Sequence, residues 1–184
     1  MNKIKSALTL VLATLLLGSL PLMAQEKRVS PHQTLSANIS GNRVTITYGR
    51  PYTKNPKTGE ARKIWGGLVP YGQVWRMGAD EATLLITEKA LTIGDTAVPA
   101  GAYSLYMLPN EDGTAKLIIN KQLGQWGTQY DDKQDLARVD MTKSVLDAPV
   151  DQCTIAISKG ASGGGVIKLS WESTAYSVAY TVTK

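Results

Sequence analysis

The sequence predicts an all-β fold, an antiparallel β-sandwich of about nine to ten strands with jelly-roll-like or Greek-key connections. Apolar residues recur at every second position, as where Val44, Ile46 and Tyr48 alternate with Thr45 and Thr47. Turn-forming residues recur about every 8–12 positions, a spacing typical of sandwiches and barrels. No segment shows the 3.6-residue period of a convincing amphipathic helix. These patterns favour two packed layers of strands.

The predicted strands are short and follow one another closely. Eleven segments are candidates, of which about nine to ten are expected to be strands: residues 33–39, 44–48, 83–87, 91–93, 96–98, 103–108, 115–120, 136–141, 153–158, 166–171 and 176–182. Gly94 and Asp95 predict a tight hairpin turn, and the glycine-rich run 160–165 is expected to join two strands. Residues 133–139 fit either a short helix or a strand.

The amino end has the pattern of a signal peptide covering residues 1–24. Lys3 and Lys5 precede an apolar run, and Ala24 closes a small-residue cleavage site. The run is short for a membrane span, which needs about 20 apolar residues. We therefore expect export to the periplasm or beyond, with no integral membrane segment after cleavage. Residues 25–184 are predicted to form a single domain.

Charge and composition exclude several classes of function. Removal of the two leader lysines leaves 18 basic residues against 15 acidic ones, a formal charge of +3. The basic residues are scattered and do not interleave with aromatic ones, so a nucleic-acid partner is not expected. The run 160–165 lacks the lysine and the following helix of a phosphate-binding loop. No cofactor is predicted.

Histidine and cysteine occur once each, at His32 and Cys153. Cys153 shares a predicted strand face with Ile155 and Ile157, which indicates a buried core thiol. A single cysteine forms no intrachain disulfide. With one histidine and one cysteine, neither a metal site nor a histidine-based catalytic triad is expected.

One irregular stretch, residues 66–83, interrupts the alternating pattern. It combines glycines and a proline with Trp75, Arg76, Asp80 and Glu81. On a regular strand the two adjacent carboxylates would face opposite ways, so they are not expected to act as a pair. Trp75 is either a ligand-facing ring or a core anchor. Arg76 is expected to meet Asp80 or Glu81, either to bind something or to brace the fold.

Several blocks of the chain resemble one known family, the "domain of unknown function 2911". The blocks are residues 30–34 (SPHQT), 46–51 (ITYGRP), 68–76 (LVPYGQVWR), 78–83 (GADEAT), 99–105 (PAGAYSL) and 125–127 (QWG). The resemblance implies an exported bacterial protein and brings no established activity. The family usually carries asparagine where this chain has Asp80, a departure that permits a carboxylate there.

Three functions remain open at this stage. The leading one is a non-catalytic binding module for a glycan or a small anionic molecule. The second is a hydrolase using Asp80 or Glu81, with Arg76 as electrostatic stabiliser; the third is a structural or envelope-interaction protein. The candidate ligand-binding residues are Tyr48, Arg50, Trp75, Arg76, Asp80 and Glu81. No complete set of catalytic groups is assembled from the sequence.

Export would also expose the chain to modification. Asp95, Thr96 and Ala97 resemble the short acceptor motif of a periplasmic O-glycosylation system found in some bacteria. A hairpin turn accounts for the same three residues without any modification. Thr96 is therefore a candidate glycosylation site.

Overall fold

The computed structural model describes residues 28–183, so the predicted signal peptide, residues 1–24, lies outside the described part. The strands are β1 (His32–Ile39), β2 (Asn42–Gly49), β3 (Ala79–Thr87), β4 (Leu91–Ile93), β5 (Thr96–Val98), β6 (Gly101–Pro109), β7 (Ala115–Asn120), β8 (Asp135–Lys159) and β9 (Gly165–Val182). Short 3-10 turns lie at Asp132–Gln134 and Ala161–Gly163. Within the described range, no helix has the length and apolar character needed to cross a bilayer.

All strand pairings along the sheet are antiparallel, which confirms the predicted all-β class. The order across the sheet is β1-β2-β3-β6-β7-β8-β9-β4-β5. The β4–β5 hairpin lies between β3 and β6 in sequence, yet it pairs with β9 at the far end of the sheet. The sheet curls, and the hydroxyl of Tyr48 on β2 accepts a hydrogen bond of 2.7 Å from the backbone of Ile155 on β8. The result is a sandwich-like arrangement around one core.

The carboxyl-terminal part differs from the prediction in strand length. Residues 136–141 and 153–158 belong to one strand, β8, and the last two predicted strands are likewise both part of β9. The start of β8 pairs with β7, and from Thr142 onward its partner is β9. The intervening residues are mostly exposed. Apolar residues do not alternate with polar ones in this part of β8, because neither face of the strand is buried there. Backbone pairing with β9 on both sides of this part continues the strand.

The irregular stretch before β3 is a structured crossover that packs into the core. Trp75 exchanges two backbone hydrogen bonds with Met107 of β6, of 2.8 and 2.7 Å. Its ring stacks on that of Trp171, with centroids 5.9 Å apart and planes 19° from parallel. Trp65 meets the same ring edge-on at 6.2 Å. Of the two alternatives for Trp75, a ligand-facing ring or a core anchor, the structure shows the core anchor.

Cys153 lies in the core, as predicted, and is fully buried. Burial raises the pKa of its thiol far above the usual range because the thiolate would be stranded in an apolar environment. We expect no reaction of the folded protein with a thiol reagent such as 5,5′-dithiobis(2-nitrobenzoate). The reaction should go to completion once denaturant unfolds the chain. Rapid labelling of the native protein, with folding intact by circular dichroism, would contradict this.

Candidate functional site

A cleft of about 420 Å³ lies on the outer face of β2, β3 and β6. Its floor is a row of side chains across the three strands, in which Thr47 lies opposite Leu84 and Leu84 lies opposite Ser104. Outward-facing positions of an antiparallel sheet are normally open to water. Here the segment 122–127 covers one side of the row, and Gly124 and Gln125 form a wall.

Hydrogen bonds hold this covering segment in place. The Ser104 hydroxyl donates to the carbonyl of Gln122 at 2.7 Å. The Gln125 amide nitrogen donates to Ser104 Oγ at 3.1 Å and to the Tyr106 hydroxyl at 2.8 Å. Gln125 is only 7% exposed, and its Oε1 has no partner among residues 28–183. The wall therefore contains a buried acceptor oxygen with unused capacity.

A backbone irregularity at the start of β3 shapes the opposite end of the cleft. The β2–β3 register shifts between Thr47 and Gly49, and Asp80 adopts a φ of 66°. Asparagine and aspartate tolerate this left-handed conformation better than most residues. The turn of the backbone brings the carboxylates of Asp80 and Glu81 together beside His32. The expectation that they face opposite ways is therefore wrong, because it assumed a regular strand.

Arg28, His32, Asp80 and Glu81 form what we call the charged cluster. Arg28 donates two hydrogen bonds to Glu81, of 2.6 and 2.8 Å. His32 Nε2 lies 2.9 Å from the same Glu81 carboxylate. The Arg28 hydrogen bonds lower the pKa of Glu81 to about 2. Glu81 thus stays ionised at any physiological pH.

Arg76 lies apart from this cluster. In the part of the chain that the structure describes, no oxygen of Asp80 or Glu81 lies within ion-pair distance of Arg76. Its side chain packs against Gly127, and its Nε is buried without a hydrogen-bond partner in that same part. Burial lowers the pKa of Arg76, and the nearby charge of Asp80 partly opposes the shift. Glu81 pairs with Arg28, which no sequence pattern pointed to.

Tyr48 and Arg50 hold the two layers together. Tyr48 lines the cleft, but its hydroxyl is engaged with the backbone of Ile155. The Arg50 guanidinium donates to the carbonyl of Cys153 at 3.1 Å and to the hydroxyl of Thr154 at 2.8 Å. Of the six residues predicted to bind a ligand, the structure places Tyr48 and Glu81 in the cleft lining. Asp80 lies beside it, in the charged cluster.

Thr96 starts β5, directly after the predicted turn at Gly94 and Asp95. It pairs with Ile93, so the hairpin is confirmed. Its side chain is half-buried. Glycosylation of Thr96 stays a prediction.

Sequence reasoning missed several residues of the cleft. Leu84 and Ser104 were assigned only to strands, and Arg28 to no element. The one available signal was the block 125–127, quoted above for its resemblance. Trp126 in that block is 48% exposed and forms an isolated bridge with Glu81. An exposed tryptophan beside a cleft is a typical feature of binding surfaces.

Fold and site together define an all-β protein with a largely apolar cleft, bordered by charged side chains, on an outer sheet face. The chain belongs to the family described as "Protein of unknown function (DUF2911)", whose family model matches residues 30–180. The predicted membership is thereby confirmed. Comparisons with curated proteins and with solved structures found no match.

Proposed function

We propose that this protein is an exported, non-catalytic binding module that holds a small polyhydroxylated molecule, such as a sugar or glycan fragment, in the cleft. The observation that carries the proposal is the lining itself. Thr47 and Ser104 place hydroxyl oxygens beside the apolar side chain of Leu84, and each keeps a free lone pair after its hydrogen bonds within the protein. Gln125 adds an amide whose nitrogen is already used and whose Oε1 has no partner among residues 28–183. A few polar groups set in an apolar lining are the usual composition of a small-molecule site. Trp126 adds a half-exposed ring next to it.

The charges favour a neutral ligand over the anionic one that the sequence left open. Arg28 is the cation of the cleft lining, and Glu81 already engages it through both carboxylate oxygens. Asp80 adds a second negative charge 3.8 Å from Arg28. An anion would have to displace Glu81 and would meet Asp80, at a cost in repulsion.

The hydrolase alternative receives less support. A general acid or base at neutral pH works best with a pKa near 7, and the pKa of Glu81 is held at about 2. Arg76, the stabiliser in that alternative, is absent from the cleft lining. We therefore retain binding as the proposal.

The test is a calorimetric and thermal-shift screen of neutral mono- and disaccharides against small organic acids. We expect a saccharide to bind the wild-type protein, and Leu84→Trp to abolish binding by filling the cleft floor. Ile86→Trp is the matched control, because Ile86 is on the same face of β3 but outside the cleft. It should bind as the wild type does.

Two outcomes would count against the proposal. One is a flat response to every saccharide while an organic acid binds. The other is saccharide binding that survives in Leu84→Trp, since the ligand would then sit elsewhere on the surface. Both variants should keep the wild-type circular dichroism spectrum, because neither position belongs to the buried core.

A further inference from the structure

We propose that His32, Asp80 and Glu81 form a binding site for a divalent transition-metal ion, and that Arg28 competes with the ion for this site. The inference does not rest on the saccharide proposal, since it concerns the charged cluster at one end of the same cleft. It also departs from the sequence, which predicts no metal site from one histidine and one cysteine. On a regular strand Asp80 and Glu81 would face opposite ways, and only one of them could join His32. In the structure both carboxylates lie beside His32, which makes three ligands available.

The spacing of the three groups suits one ion. Each offers a ligand atom, and these atoms all lie within 4.8 Å of one another. The closest pair is His32 Nε2 and Glu81 Oε2, 2.9 Å apart. Two ligands that are each about 2.1 Å from an ion and at right angles to one another are about 3.0 Å apart. The pair therefore has the separation of neighbouring ligands, and a carboxylate oxygen of Asp80 lies within 4.8 Å of both.

The cluster already holds a cation that contacts all three groups. Arg28 Nη1 lies 2.6 Å from Glu81 Oε2, 3.2 Å from His32 Nε2 and 3.8 Å from Asp80 Oδ2. One positively charged nitrogen thus faces an imidazole and two carboxylates. Arg28 and His32 lie at the entry of the chain into β1, whereas Asp80 and Glu81 start β3. The site is therefore formed by the start of β1 and the start of β3, which lie on either side of β2 in the sheet.

Gln125 supplies an independent observation in the same cleft. Its side chain is more than nine-tenths buried and lines the cleft together with Arg28, His32 and Glu81. Its Oε1 accepts no hydrogen bond from residues 28–183. A buried acceptor left unpaired is unfavourable, because it has given up its hydrogen bonds to water without replacing them. The side chain lines the same cleft as the charged cluster, so a turn of the amide would let this oxygen accept a hydrogen bond from a water molecule on the bound ion.

The ligand types select the class of ion. An imidazole nitrogen with two carboxylates suits Zn²⁺ or Mn²⁺, whereas Ca²⁺ and Mg²⁺ prefer oxygen ligands alone. Net charge agrees with this choice, because two carboxylates neutralise one divalent ion once Arg28 has moved away.

Competition by Arg28 predicts that metal affinity rises when Arg28 is removed. If the Arg28–Glu81 ion pair had only a structural role, its removal would not raise metal affinity. Removing Arg28 frees Glu81 and removes a positive charge that repels the ion. Arg28→Ala should therefore bind metal more tightly than the wild type, by about tenfold or more. His32→Ala and Glu81→Gln should each bind the metal more weakly, by about 10–100-fold or more. Loss of a residue that only supports a ligand typically costs about 10–100-fold in affinity, and loss of the ligand itself should cost at least as much.

The experiment is isothermal titration calorimetry of the purified, EDTA-treated protein with ZnCl₂ and MnCl₂, with CaCl₂ in parallel. We expect one Zn²⁺ or Mn²⁺ per chain and little heat with Ca²⁺. Arg43→Ala is the control for Arg28→Ala, because Arg43 also pairs with a glutamate, Glu88, at a remote surface. Asp140→Asn, which removes an exposed carboxylate far from the cluster, is the control for Glu81→Gln. Both controls should match the wild type.

A spectroscopic readout separates the site from loose carboxylate binding. Pulsed electron paramagnetic resonance of the Mn²⁺ complex should show coupling to one imidazole nitrogen, and His32→Ala should remove it. Absence of stoichiometric binding in both wild type and Arg28→Ala would overturn the proposal, as would Mn²⁺ binding without nitrogen coupling. So would weaker binding in Arg28→Ala with an unchanged circular dichroism spectrum. Saccharide binding does not enter any of these readouts.

Discussion

Replacing Trp75 by alanine is expected to lower the free energy of unfolding by about 3–5 kcal/mol, the range measured for large aromatic residues in cores. The ring is 8% exposed and stacks on Trp171 at 5.9 Å, with Trp65 against its edge at 6.2 Å. Its backbone is tied to Met107 on both sides, so the crossover cannot slide to refill the space. The loss therefore combines lost burial with a residual cavity.

Urea denaturation followed by fluorescence and circular dichroism measures this loss. Trp126→Ala is the matched control, since it removes the same side chain from a site where it is 48% exposed. We expect that control to change stability by only about 0.5 kcal/mol. Equal losses in the two variants would show that Trp75 is not the core anchor described above.

Replacing Gly49 by alanine is expected to lower stability by about 1–3 kcal/mol and to abolish binding in the cleft. An added Cβ would lie 2.3 Å from the carbonyl oxygen of Ala79 and 3.0 Å from its carbonyl carbon. These are backbone atoms of β3, so no side-chain rotation relieves the clash. Gly49 lies outside the left-handed φ region, and the cost of the methyl group is therefore steric alone.

The same clash reaches the charged cluster, because Gly49 pairs with Ala79, the residue directly before Asp80. Moving Ala79 displaces both carboxylates. Gly160→Ala serves as the control, since its new Cβ would approach Gly165 no closer than 3.2 Å. Chemical denaturation and ligand titration of both variants test the effect. Wild-type stability and binding in Gly49→Ala would mean that the β2–β3 contact is looser than described.

Most of the fold was predictable because a strand with one buried face leaves a period of two in the sequence. Val44, Ile46 and Tyr48 show this pattern, and β2 is where it was expected. The same rule failed between residues 141 and 153, where β8 continues with both faces largely exposed. Pairing with β9 at residues 142–145, at Val150 and from Thr154 onward holds the strand through two irregularities, and pairing between distant segments leaves no local pattern.

The candidate site was predictable only in part. The irregular stretch directed attention to Asp80 and Glu81, since a break in alternation often marks a site, and the structure places both in the charged cluster. Their arrangement depends on a φ of 66° at Asp80, which residue identity permits but does not require. Arg28 reaches Glu81 from 53 positions away in the chain. No spacing rule connects residues so far apart.

By itself, the sequence determined the all-β class, the family, the hairpin at Gly94 and Asp95, and the buried state of Cys153. These properties follow from periodicity, turn chemistry and hydrophobicity, which act between near neighbours or on single residues. Only the tertiary structure decided that Trp75 packs inside, that Arg28 replaces Arg76 as the partner of Glu81, and that Gln125 covers Ser104. Each of these is a contact between segments that are separated in the sequence, so it depends on the order of the strands, which the packing of the whole sheet sets.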